Sequence, residues 1–387
     1  MRGLQPAVAR RSRMSDIAKK IGRPYGRVES ENPDLASRIE SVLELPGFDR
    51  TIPVGLVGCG WVAGQHLRSY REAGVNVVAL CDSHIERAKA YRDEFYPDAV
   101  VYRDEQALLM HPGLQVVDIA THVAVRPQLV REALRAGKHV LSQKPFVEDL
   151  NEGMQLARQA RDAGVILAVN QNGRWTPHFG ALLACVGAGL IGDVVSADFF
   201  VAWPHDLFVK DKPAFAAMDD LVLYDFGAHW FDLIGTLVPE GPTEVRAVTA
   251  SRKGQSVPVP MQAHALITAP GFIASVGFRA AERYAETGTF RVSGTEGVIT
   301  HQGLSLGGDS VVVHTHEGRA TIQVSDDWFG HGMIGAMREL LIAIESGQVP
   351  FNSPTSSLTG LSLCFAATES AATGKAVTPD ATSARRR

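Results

Sequence analysis

The sequence predicts an α/β protein of two lobes. The first is a doubly wound parallel sheet. The second is an α+β unit with a large, mostly antiparallel open sheet. Three observations predict this. Apolar strand-like runs alternate with helical stretches from residue 51 to residue 172. A glycine-rich stretch separates the first strand from the first helix. Beyond residue 178, strand-like runs follow one another without intervening helices.

Residues 1–50 form an N-terminal arm, basic at first and then reading "NPDLASRIESVLELPGF". Asn32 or Asp34 would cap a short helix carrying Leu35, Ile39 and Leu43 at helical spacing, packed on the body or on a neighbouring subunit. Met14 is a second candidate start. The first lobe, 51–172, runs strand "TIPVGLVG", helix "AGQHLRSYREAG", strand "VNVVALCD", helix "SHIERAKAYRDEF", strand "AVVYRD" and helix "EQALLMHPG". It continues with strand "LQVVDIAT", helix "RPQLVREALRAG", strand "KHVLSQKP", helix "NEGMQLARQARDAG" and strand "VILAVNQN". The second lobe, 173–375, holds a helix near 178–189, the strand "DVVSADFFVAW" and a helical stretch over 225–237. Six further strands follow, from "EVRAVTA" to "ATIQVS", and two closing helices. Residues 376–387 read as a disordered tail.

A chain of 387 residues, 45% hydrophobic and 21% charged, can build two cores. The net charge of -4 gives no basic field for nucleic acid. No apolar run approaches the roughly 18 residues of a membrane span. Cys59, Cys81, Cys185 and Cys364 are scattered, which fits buried thiols of a reducing compartment and a cytoplasmic protein. No histidine–cysteine–carboxylate spacing reads as a metal site.

Gly58-Cys59-Gly60-Trp61-Val62-Ala63 fits G-x-G-x-x-G/A between a strand and a helix. Gly58 permits the tight turn, Gly60 lets backbone approach a pyrophosphate, and the N–H groups at Trp61 and Val62 open the helix towards it. This makes the first lobe a Rossmann-type nucleotide domain. Asp82 ends the second strand about 20 residues on, where a carboxylate can hold ribose hydroxyls. It would repel a 2′-phosphate and so favours NAD over NADP, with His84 and Arg87 close by. Lys144-Pro145 ends another strand, where ligands of open α/β sheets bind. The proline restricts Lys144 and aims its ammonium beside a nicotinamide ring. The same dipeptide also fits a surface lysine before a loop proline. In "LYDFGAHWFDLIGTL", Asp225, His229 and Asp232 share one face of a helix. A histidine with a carboxylate one turn away suits acid–base chemistry, although a helix cap and a core histidine fit the same residues.

Together these stretches resemble the Gfo/Idh/MocA oxidoreductases over roughly residues 51–375. The resemblance rests on the glycine loop, "VVALCDSHIERA", "VVDIAT", "AGKHVLSQKP", "VNQNGRW", "DFGAHWFD", "VSGTEGVI" and "AATESAATGKAV". It implies catalytic roles for Lys144, Asp225 and His229, dinucleotide contacts at Ala120 and Thr121, and homo-oligomer contacts through the second sheet. Three departures stand out. The usual E-K-P reads Gln143-Lys144-Pro145. The common T-P-x-x-x-H reads from Thr121 to Arg126. Asp219-Asp220-Leu221 replaces a glycine cluster.

The resulting expectation is hydride exchange between nicotinamide and a secondary alcohol of a sugar, polyol or sugar derivative. His229 moves the hydroxyl proton, Asp225 either orients and charges the histidine or grips a neighbouring hydroxyl, and Lys144 polarises the reacting oxygen and can share the proton. Arg174, Trp175, His178, Trp203 and His205 are expected to line the substrate pocket, although packing is an equal reading of each. Two rivals remain: a redox-neutral lyase, glycosidase or epimerase with tightly held NAD, and a non-catalytic nucleotide-binding protein.

Overall fold

The structure is a computed structural model that describes residues 29–303, 310–325, 327–380 and 382–384. The residues before 29, and with them Met14, lie outside it.

The first lobe contains strands β1 (Val54–Val57), β2 (Val77–Cys81), β3 (Val100–Tyr102), β4 (Val116–Ile119), β5 (His139–Gln143) and β6 (Leu167–Asn170). They form one parallel sheet in the order β3-β2-β1-β4-β5-β6. β1 and β4 are buried along their whole length, as a sheet covered on both faces requires. The chain winds one way from β1 to β3 and the other way from β4 to β6. The crevice therefore opens where the strands after β1 and β4 part company.

An arm helix, α1 (Pro33–Leu43), precedes this lobe. Asn32 decides between the two expected caps, because its side chain accepts from the N–H groups of Asp34 and Leu35. Leu35 and Ile39 are fully buried in the main core. The arm thus packs on its own chain. Its Glu31 forms a parallel bridge to Arg319 at the edge of the second sheet, which leaves that edge partly covered.

The second sheet contains β7 (Val194–Ala202), β8 (Glu244–Ala250), β9 (Gln262–Ala269), β10 (Phe272–Arg279), β11 (Thr287–Gly294), β12 (Gly297–Gly303), β13 (Ser310–Thr315) and β14 (Gly318–Gln323). Its order is β14-β13-β12-β11-β7-β10-β9-β8, antiparallel except where β10 joins β7. One face is buried and the other carries exposed Val195, Val248, Leu266 and Ile273.

Two boundaries differ from expectation. Helix Trp328–Ser346 returns to the first lobe, where Ile334, Met337, Leu340 and Leu341 join the core of β1 and β4. Its apolar stripe finds that sheet as its partner, at about 1.5–3 kcal/mol for each fully buried large side chain. The expected free tail is also paired over its described part. Val377 exchanges two backbone hydrogen bonds with Val245 on β8, at 2.8 and 2.9 Å. All four cysteines are buried and unbridged. Among the described residues, no helix is long and apolar enough to cross a membrane.

Candidate active site

The carboxyl ends of β1, β4 and β5 place three loops side by side. After β1 comes Gly58, in the left-handed region at φ 95°. A Cβ there would lie 2.7 Å from the Thr121 methyl group, so the glycine is needed for both conformation and space. A Cβ on Gly60 would meet nothing within 4 Å. The helix Trp61–Ala73 then begins with no side-chain cap. Its first N–H groups have no side-chain acceptor, which suits an anion. Asp82 stands beside this turn. Its carboxylate accepts the Cys59 N–H and the His84 N–H, each at 2.7 Å, and it remains 8% exposed. Ala120 and Thr121 follow β4 and abut Gly58, and Thr121 Oγ1 is buried without a hydrogen-bond partner. The side chain of Trp61 is 54% exposed at the mouth. Val62 turns inward onto the core. These residues fit a dinucleotide: an uncapped helix end, an empty space over Gly60, and a carboxylate oriented by backbone.

After β5, a cis peptide bond joins Lys144 to Pro145. The Lys144 ammonium donates to the backbone carbonyl of Asp225 at 3.1 Å and lies 3.5 Å from the Asp225 carboxylate. Arg126, fully enclosed, braces this turn from below. Its guanidinium donates to the carbonyls of Thr121, Gln143 and Pro145. Burial pulls its pKa down to about 10.

The stretch around Asp225 departs from the expected continuous helix. Val222–Phe226 forms a wide π turn, and the helix Ala228–Leu237 starts only after Gly227. A Cβ on Gly227 would lie 2.5 Å from the Leu223 carbonyl. The break separates residues expected to share one face. Asp225 faces Lys144. Asp232 turns away and pairs with Arg174 in a buried bidentate contact, at 2.7 Å for both bonds. No hydrogen bond joins Asp225 to His229. The expected carboxylate–imidazole pair is thereby corrected: Asp225 holds the lysine instead.

His229 keeps its place at the cleft. A Cβ on Gly173 would sit 3.2 Å from His229 Nδ1, so the glycine makes room for the ring. Nδ1 is buried without a partner. Burial, then the positive charge of Lys144 and the repulsion from His205 when both imidazoles are protonated, hold the imidazole well below its usual pKa. It is therefore neutral at neutral pH, the form that accepts a proton.

The five expected pocket residues divide. His205 belongs to the site: its ring stacks on Phe226 with centroids 4.4 Å apart, and its Nε2 is buried and unpartnered. Burial pulls its pKa down to about 4, with Asp225 opposing. Arg174 does not line the pocket, because its guanidinium is consumed by Asp232, the Phe351 carbonyl and Ser356. Trp175 packs on Gly335 of the returning helix and on Phe351. His178 stacks on His301, with centroids 4.9 Å apart, behind Trp328. Trp203 follows β7, half-buried against the second lobe's core. Two neighbours were missed. Trp328 presents its ring edge-on to His229 at 5.4 Å. Lys212 sits over the Phe208 ring at 3.5 Å, near Asp225 and Trp61. Neither carries a spacing signal, since each arrives by long-range packing.

Two family models match the chain: "Oxidoreductase family, NAD-binding Rossmann fold" over residues 52–171 and "GFO/IDH/MocA C-terminal domain" over residues 179–300. The chain belongs to the Gfo/Idh/MocA oxidoreductase family. Among curated Gfo/Idh/MocA relatives, a D-apiose dehydrogenase of Paraburkholderia graminis is 28% identical over 340 residues, covering 83% of this chain and 88% of the relative. A 1,5-anhydro-D-fructose reductase of Ensifer adhaerens is 28% identical over 70% of this chain and 79% of its own length. An oxidoreductase of Agrobacterium radiobacter, solved with NAD+, L-tartaric acid and magnesium, shares the fold. Its TM-score is 0.74 at 23% identity, covering 84% of this chain and 98% of that one.

Proposed function

We propose that this Gfo/Idh/MocA protein is an NAD-preferring dehydrogenase or reductase acting on a secondary alcohol or ketone of a sugar, polyol or sugar derivative. The observation that carries the reading is the Lys144–Asp225 ion pair beside an open glycine turn, with His229 near enough for the lysine's charge to act on its imidazole. The sugar dehydrogenases and reductases among the relatives support the substrate class. Gly58, Gly60, Trp61, Val62, Ala120, Thr121 and Asp82 would hold the dinucleotide, and the Asp82 carboxylate disfavours a second phosphate on its ribose. The bound nicotinamide supplies a hydride acceptor or donor. His229 Nε2 takes the hydroxyl proton, and returns it in the reverse direction once it has been protonated. Lys144 donates a hydrogen bond to the reacting oxygen, and Asp225 holds that ammonium in place. Acid–base groups placed in this way contribute about 10²–10⁴-fold in rate.

The test is NADH formation, followed by absorbance, with a panel of aldoses, inositols and sugar acids, repeated with NADP. The reading expects stoichiometric NADH from at least one polyol or sugar. Product without net NADH would transfer the site to the redox-neutral rival.

A further inference from the structure

Beneath Lys144 lies a fully buried chain of polar side chains that none of the roles above uses. Lys144 donates its backbone N–H to Gln143 Oε1 at 2.6 Å. Gln143 Nε2 stands 2.9 Å from His66 Nε2. Asn170 Nδ2 stands 3.0 Å from the same nitrogen and 3.2 Å from Met333 Sδ. His66 Nδ1 lies 2.7 Å from Asp118 Oδ2, which also accepts the Tyr70 hydroxyl at 2.8 Å. His66, Asp118 and Asn170 are 0% exposed and Gln143 is 5% exposed.

The direction of these bonds follows from one end. A backbone N–H only donates, so the Gln143 atom facing Lys144 is the amide oxygen. The amide nitrogen then faces His66, and His66 Nε2 must accept. The imidazole proton therefore sits on Nδ1, where the Asp118 carboxylate receives it. His66 is neutral, and this arrangement gives each contact from Tyr70 to Lys144 a donor and an acceptor, while Asp118 Oδ1 and Asn170 Oδ1 remain buried without partners.

We propose that Gln143 and the His66–Asp118 pair are positioning residues for Lys144, and that a neutral amide at position 143 matches a neutral His66. This rests on the reading that Lys144 serves the reaction. The chain ties the lysine turn to the helix Trp61–Ala73, which carries His66 and Tyr70 and opens at the dinucleotide turn. A carboxylate at position 143 would face the lone pair of His66 Nε2. It would be accommodated only with one added proton, which the more basic imidazole takes in preference to the carboxylate, giving an imidazolium between two carboxylates. The groups facing that imidazole are Asp118 from β4, Tyr70 from its own helix, residue 143 from β5 and Asn170 from β6, whose amide also reaches Met333 of the returning helix. The one charged group among them in the native protein is Asp118.

The experiment uses the full chain as wild type, Gln143→Ala and Gln143→Glu. Nitrogen NMR of isotope-labelled histidine, with His66 assigned by its loss in His66→Gln, should show the Nδ1–H neutral form in the wild type and imidazolium in Gln143→Glu near neutral pH. Gln143→Ala should lower kcat by about 10–100-fold, the loss expected of slight misplacement, with dinucleotide affinity retained. It should also raise the acetylation rate of Lys144, read by mass spectrometry, several-fold. Gln143→Glu should recover part of kcat at low pH and lose it as pH rises through the His66 transition. An Nε2–H tautomer in the wild type, an unchanged kcat and Lys144 reactivity in Gln143→Ala, or a wild-type pH profile in Gln143→Glu overturns the proposal. The tautomer and acetylation readouts need no substrate, so a failure of the proposed reaction is separable from a failure of this positioning chain. If Gln143→Ala does not fold, Gln143→Glu decides.

Discussion

Arg174 separates a structural reading from a substrate-binding one. Its side chain is 0% exposed, and Asp232 opposite is 3% exposed. The guanidinium makes two bonds of 2.7 Å to the carboxylate, donates to Ser356 at 2.9 Å and lies 4.8 Å over the Phe351 ring. Arg174→Ala would strand the carboxylate in a site where burial already raises its pKa against the pull of the arginine. Removing one partner of a buried pair costs about 3–5 kcal/mol. At about 2.1 cal/mol/K per residue, a chain of 387 residues changes stability by about 0.8 kcal/mol per degree near Tm, so Tm should fall by about 5 °C. The assay is thermal unfolding by calorimetry beside steady-state kinetics. Arg174→Met combined with Asp232→Leu, which removes both charges, should regain most of the loss. An unchanged Tm together with a raised KM would refute the reasoning and return Arg174 to the substrate pocket.

The two glycines of the nucleotide turn should part company. Gly58→Ala meets both a positive φ and the Thr121 methyl, and should lower Tm. Gly60→Ala meets only open space, so Tm should hold while NAD affinity, by fluorescence titration, falls at least about tenfold, or 1.4 kcal/mol. Acid should destabilise the fold through buried histidines. His178 and His205 sit down at about 3 and about 4, and His229 lies well below its usual value, all chiefly through burial. Their folded pKa values lie below the unfolded value of 6.5, so the unfolded state binds more protons as pH falls. Stability should be complete above pH 6.5 and decline between there and pH 4, each histidine contributing a slope of about 1.4 kcal/mol per unit. His178→Gln should flatten that decline in denaturant midpoints measured against pH. Lys144→Met should reduce kcat by about 10²–10⁴-fold and leave dinucleotide affinity within a few-fold, because the turn is held by Gln143 and Arg126 and not by the ammonium.

The parallel sheet was legible because every strand there reads as an apolar run punctuated by a helix, and the glycine turn carries its ligand logic in adjacent residues. Lys144 was legible through Pro145 and its strand-end position. The environment of Asp225 was not. A periodicity of 3.6 treats Asp225, His229 and Asp232 as one face, whereas the π turn and Gly227 shift the phase between the first and the others. Arg174 and Asp232 each looked available, because a sequence does not show that two charges far apart in the chain neutralise each other. The same holds for His66 and Asp118. Their helix and strand were both expected, but their pairing depends on how the helix Trp61–Ala73 seats on the sheet. The returning helix Trp328–Ser346 joined the first lobe because its apolar stripe fits a sheet that sequence order alone would not nominate.

A crystal structure with NAD bound tests the central claim most directly. The account predicts the pyrophosphate over Gly60, the ribose hydroxyls against Asp82, and the nicotinamide ring between Lys144 Nζ and His229 Nε2. A nicotinamide lying elsewhere, with the lysine and the imidazole turned to separate cavities, would contradict it.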